Sequence, residues 1–76
     1  AMDFNYFPNP ATNELHIVAS EAIEEVVVRN QQGQRVFGMK GTGAVAAAEV
    51  DDLPAGVYYL EVKTARGTKV RLFVKQ

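Results

Sequence analysis

Apolar residues recur at every second position in three stretches of this chain, and that period dictates extended structure. Leu15, Ile17 and Ala19 alternate with His16 and Val18, the pattern of a strand with one face buried. Ile23 to Arg29 reads as a second strand, rich in the β-branched residues Val26, Val27 and Val28. A turn follows at Asn30-Gln31-Gln32-Gly33. A third strand then runs from Gln34 to Lys40, and Gly38, Gly41 and Gly43 punctuate a flexible stretch. The four alanines in Ala44 to Val50 favour helix by propensity. The segment is short and has all-β neighbours, which place it as a strand. Asp51-Asp52-Leu53-Pro54-Ala55-Gly56 is a turn, because proline presets φ and glycine admits positive φ. From Val57 to Lys63 the alternation returns, with Tyr58, Leu60 and Val62 on one face and Tyr59, Glu61 and Lys63 on the other. Past Thr64-Ala65-Arg66-Gly67, the segment Thr68 to Lys75 closes the chain. Val70, Leu72 and Val74 are assigned to its core face, and Phe73 is expected outward, like Tyr59.

Strands this short, with turn signals every 8–12 residues or so, predict an all-β fold: a small immunoglobulin-like β-sandwich of about six to seven antiparallel strands. The chain has 76 residues and no cysteine, so a single thin core must hold it together without disulfides. Ala1 to Asp3 reads as a cloning remnant or linker and residues 4–76 as one domain, cut from a longer precursor with Gln76 as its natural end. No leader pattern opens the chain and no apolar run approaches the ~18 residues of a membrane span. An internal echo relates Val28-Arg29-Asn30-Gln31-Gln32-Gly33-Gln34-Arg35-Val36 to Val62-Lys63-Thr64-Ala65-Arg66-Gly67-Thr68-Lys69-Val70. Both copies predict a hairpin in which a type I turn is followed by a left-handed glycine.

The net charge of -1 provides no field to recruit nucleic acid or an anionic membrane. Its distribution is uneven: residues 1–28 hold five acids and no base, and residues 62–76 hold five bases and no acid, so the two ends are expected to lie together and attract. Enzyme chemistry finds little support. His16 and Ser20 lie about 13 Å apart along a strand, far beyond the reach of a nucleophile and its base. One histidine without cysteine does not make a zinc site. Glu49, Asp51 and Asp52 read as a solvated turn in preference to a calcium site, and Gly38-Met39-Lys40-Gly41-Thr42-Gly43 lacks phosphate-loop spacing. No catalytic, cofactor or metal site is assigned. Outward-facing Tyr59 and Phe73 leave an adhesive or carbohydrate-binding module as the alternative function.

Three segments carry further information. They are Phe7-Pro8-Asn9-Pro10-Ala11-Thr12-Asn13-Glu14-Leu15-His16-Ile17, the central segment Val26 to Val36, and Asp52-Leu53-Pro54-Ala55-Gly56-Val57-Tyr58-Tyr59-Leu60-Glu61-Val62 followed by Gly67-Thr68-Lys69 and Phe73-Val74-Lys75-Gln76. In this order and spacing they resemble the type A C-terminal sorting domain of type IX (Por) secretion system cargo, from about Phe4 to Gln76. Phe7 stands where tyrosine is commoner, and Leu72 where lysine is often found. The resemblance implies a domain that follows an N-terminal cargo domain and passes from the periplasm to the cell surface or medium. Its implied partners are the type IX translocon, an outer-membrane shuttle protein and a surface sortase that removes it. The recognition motifs it implies are Pro8, Asn9 and Pro10; Leu53, Pro54, Gly56 and Tyr58; Gly67; and Val74, Lys75 and Gln76. Of these, Gly56, Gly67 and Tyr58 read as structural, and Lys75 with the last strand as the surface displayed for recognition. That strand is also expected to present an open edge, available for strand addition or for a dimer.

Overall fold

The computed structural model describes residues 3–76. The reading of residues 1–3 as a remnant or linker therefore falls largely on Ala1 and Met2, outside the described residues. Asp3 exchanges hydrogen bonds with Ser20, its N–H reaching the Ser20 hydroxyl and its carbonyl accepting from the Ser20 N–H at 3.0 Å.

Five antiparallel strands make up the fold: β1 Phe4–Phe7, β2 Glu14–Arg29, β3 Arg35–Glu49, β4 Gly56–Thr64 and β5 Gly67–Lys75. They join in one sheet of order β1-β2-β4-β5, with β3 also paired to β2. A strand has only two edges, so β2 meets three neighbours by dividing its length. Its first half lies between β1 and the second half of β3, and its second half between the first half of β3 and β4. Counted by halves, β2 and β3 supply four segments, and the all-β expectation holds with seven strand segments carried on five continuous strands.

The corner comes from a register shift. Val18 pairs with Val45 and Ile23 with Gly43, so residues 19–22 of β2 face only residue 44 of β3. Extra residues on one strand of a pair bend it and increase its twist. The stretch expected to be flexible, Gly38 to Gly43, is instead continuous strand. Gly41 explains why: a Cβ there would stand 1.8 Å from the Ile23 carbonyl oxygen, so the close approach of the two backbones at the corner requires glycine.

The bend folds the sheet onto one core. Phe4, Leu15 and Ile17 come from one half, and Val26, Val28, Tyr58, Leu60, Val62 and Phe73 from the other. The alanine-rich segment is strand because its inward residues complement larger partners, Ala48 opposite Leu15 and Ala46 opposite Ile17. Glu21, within the bend, bonds the buried Thr64 hydroxyl and meets Arg66 at 2.9 Å, which ties the β4–β5 hairpin to the corner. With Arg71 near Asp3 at 3.9 Å, that contact brings the acidic beginning and the basic end together as expected.

Both echoed glycines have positive φ, +84° at Gly33 and +127° at Gly67. The hairpins nevertheless differ. Arg29 pairs with Arg35 across a wide loop in which the Asn30 carboxamide accepts from the Gln32 and Gln34 N–H groups. Thr64 pairs with Gly67 across only Ala65 and Arg66.

That tight turn overturns the face assignment of β5. Val70, Leu72 and Val74 are 47%, 52% and 40% exposed, while Phe73 is fully buried and Lys75 only 7% exposed. The turn register sets Tyr58 opposite Phe73, and directly opposed residues of an antiparallel pair share a face. Tyr58 points inward, so Phe73 does too, with the rings stacked at 5.7 Å. The outward aromatic pair is therefore not formed.

Candidate functional site

Pro8 and Pro10 have no N–H to give, so the backbone between β1 and β2 is poor in donors. It crosses instead to the free edge of β5. Ala11 forms a parallel bridge with Lys75, its N–H donating to the Val74 carbonyl at 2.7 Å and its carbonyl accepting from the Gln76 N–H at 2.8 Å. The Val74 N–H donates to Asn9 Oδ1 at 2.9 Å, and the Tyr6 hydroxyl donates to the Leu72 carbonyl at 2.7 Å. Residues 6–11 thus occupy the edge of β5 from Leu72 to Gln76. The open terminal strand expected from the sequence is closed over these residues, because the chain's own beginning supplies the partners.

The other flank of Lys75 is β4, where Gly56 is its register partner. The loop before Gly56 is braced from within. The Tyr58 hydroxyl donates to the Pro54 carbonyl at 2.6 Å, and the Leu53 N–H donates to the Val50 carbonyl at 3.0 Å. Leu53 itself packs against the core. At this end of the molecule the backbones of Gly56, Lys75 and Ala11 lie side by side.

The candidate residues are thereby sorted. Pro8, Asn9 and Pro10, then Leu53, Pro54, Gly56 and Tyr58, then Val74, Lys75 and Gln76 gather around one end of β5. Gly67 does not, since it sits at the opposite end of that strand, roughly 26 Å away at ~3.3 Å per residue. Lys75, expected on display, is turned inward: its stem is buried and its ammonium donates to the main-chain oxygen of Gln76 at 2.9 Å. No acid pairs with it among the described residues. Of the last three residues, Val74 and Gln76 are the exposed ones. Tyr6 and Ala11 belong to the site and were not singled out in the sequence. Only their long-range partners mark them, and a local pattern carries no trace of those.

Other features resolve without forming a second site. His16 stacks on Phe7 at 5.5 Å and lies 3.6 Å from Glu14, while the Ser20 hydroxyl is engaged by Asp3. Exposed Phe7 and Tyr59 lie on different halves of the bent sheet, so they make no shared aromatic platform. Glu14, Glu49 and Asp51 line a cleft with Asn13, but among the described residues no cluster of three or more acidic or histidine side chains is placed to hold a metal.

Fold and site together define a small β domain whose last strand is clasped along its edge by residues from the β1–β2 segment. Residues 5–76 match the family model described as the secretion system C-terminal sorting domain. The chain belongs to that family, the sorting signals of type IX secretion in Gram-negative bacteria. Membership makes it the sorting signal of a protein bound for the cell surface or extracellular space, attached to an N-terminal cargo domain and acting with the type IX machinery. No curated protein matches the sequence.

Proposed function

We propose that this domain is a non-catalytic address read in the periplasm by an outer-membrane shuttle protein and removed at the surface by a cysteine sortase. The cargo is then released or joined to an anionic lipopolysaccharide. The observation that carries this reading is the convergence of three of the four family-like motifs, all but Gly67, on one end of β5, where Val74 and Gln76 are exposed. A stable scaffold that displays a fixed chain end suits recognition, and the cargo contributes the chemistry of the mature protein. For a dimer through an open edge strand, β3 supplies one such edge, since it pairs only with β2 among the described residues.

The test is a fusion of the whole chain to the C-terminus of a periplasmic reporter, in a host with type IX machinery and in its translocon mutant. Reporter on the surface or in the medium of the first host alone is the expected outcome. Reporter retained in the periplasm of both hosts defeats the proposal.

A further inference from the structure

In a parallel ladder, a residue that donates to one carbonyl and accepts from the N–H two residues further on is continued by its neighbour two residues earlier. Ala11 makes both bonds to β5, so the carbonyl of residue 9 is the regular acceptor for the Val74 N–H. The acceptor observed is the Asn9 side chain, through Oδ1 at 2.9 Å. The carboxamide oxygen replaces a main-chain carbonyl and extends the ladder by one bond where the two flanking prolines interrupt regular strand. Asn9 is itself exposed, so this bond is made at the rim and not within the core.

We propose that Asn9 is the positioning residue of the C-terminal signal, holding Val74, Lys75 and Gln76 in the conformation the export machinery reads. The Phe7-Pro8-Asn9-Pro10 motif and the terminal tripeptide then form one functional unit, 65 residues apart at the Asn9–Val74 bond. This rests on the sorting function proposed above. The role requires only an acceptor oxygen, so aspartate serves and alanine does not.

The experiment compares wild type, Asn9→Ala and Asn9→Asp, both as the free chain in amide hydrogen exchange and as the reporter fusion in the export assay. For Asn9→Ala, exchange at Val74 accelerates about tenfold while Val26 and Val28 keep their protection, and export falls about tenfold, as loss of one edge hydrogen bond and of the local order it maintains implies. Asn9→Asp keeps both Val74 protection and export. Wild-type-like export of Asn9→Ala overturns the inference and leaves the sorting function standing. Failure of Asn9→Asp to export with Val74 still protected also overturns it, because the carboxamide is then read directly. Loss of protection throughout β2 in Asn9→Ala overturns it as well, making Asn9 a determinant of the fold. A wild-type fusion that stays in the periplasm removes the sorting function, and the inference falls with it.

Discussion

A methyl group on residue 41 would meet the Ile23 carbonyl oxygen at 1.8 Å, and neither backbone can yield without moving the corner of the sheet. Gly38, three residues earlier, presents a different obstacle: the atoms nearest its added Cβ belong to the Arg35 guanidinium, the far end of a flexible side chain. Gly41→Ala is therefore expected to cost roughly 3 kcal/mol or more, a fall in Tm on the order of 12 °C for a domain of this size. Gly38→Ala should stay within about 1 kcal/mol, since surface side chains relax freely. Urea titration of the two variants separates them, and equal losses would show that the corner does not depend on Gly41. Both glycines were visible in the sequence as punctuation. Which of them abuts another backbone was not, because that depends on where β2 lies.

At the scale of an element, β5 is the instructive case. Val70, Leu72 and Val74 alternate with Arg71, Phe73 and Lys75, and hydrophobicity alone favours the first set as the core face. The β4–β5 turn decides otherwise through its register. The consequence reaches the terminal tripeptide. From the sequence, removal of Val74-Lys75-Gln76 is expected to abolish export and leave the isolated domain largely folded. In the structure that removal strips both partners from the buried Ala11, whose N–H and C=O lose their acceptor and donor. Orphaned buried polar groups cost about 1–3 kcal/mol each, so the truncated chain should lose about 2–6 kcal/mol of stability. Thermal melts of the full and truncated chains check this, and an unchanged Tm would mean that the clasp adds nothing to stability. Point variants of Asn9 are for that reason the cleaner probe of export.

Across the whole molecule, two half-sheets share one core, with β2 and β3 running through both. Neither half can lose its packing without exposing the other's inner face. Unfolding should be a single two-state transition, with an enthalpy of roughly 50 kcal/mol at the midpoint. Coincidence of far-UV circular dichroism with the tyrosine fluorescence of a Tyr6→Phe variant tests this, since Tyr58 and Tyr59 then report on β4 alone while dichroism averages over all strands. Separate transitions would show that the halves fold as independent units. The ion pairs Arg66–Glu21 and Arg71–Asp3 join the two charged segments, but the second is solvent-exposed and contributes at most about 1 kcal/mol. Cohesion rests on the buried cluster.

The sequence by itself determined that the chain is all-β, where its turns fall, and that Tyr58, Leu60 and Val62 point inward, because strand period and turn chemistry are local and act over a few residues. Its motifs also identified the family. Tertiary structure decided the rest. Tyr58 and the hairpin register turn Phe73 inward, Ile23 requires glycine at position 41, and the β5 edge is closed by Asn9 and Ala11. Each of these depends on which backbone lies beside which, and the deciding partners stand as far apart as Ala11 and Lys75. No local pattern encodes a hydrogen bond across that separation; it forms only when the bent sheet brings the two ends of the chain together.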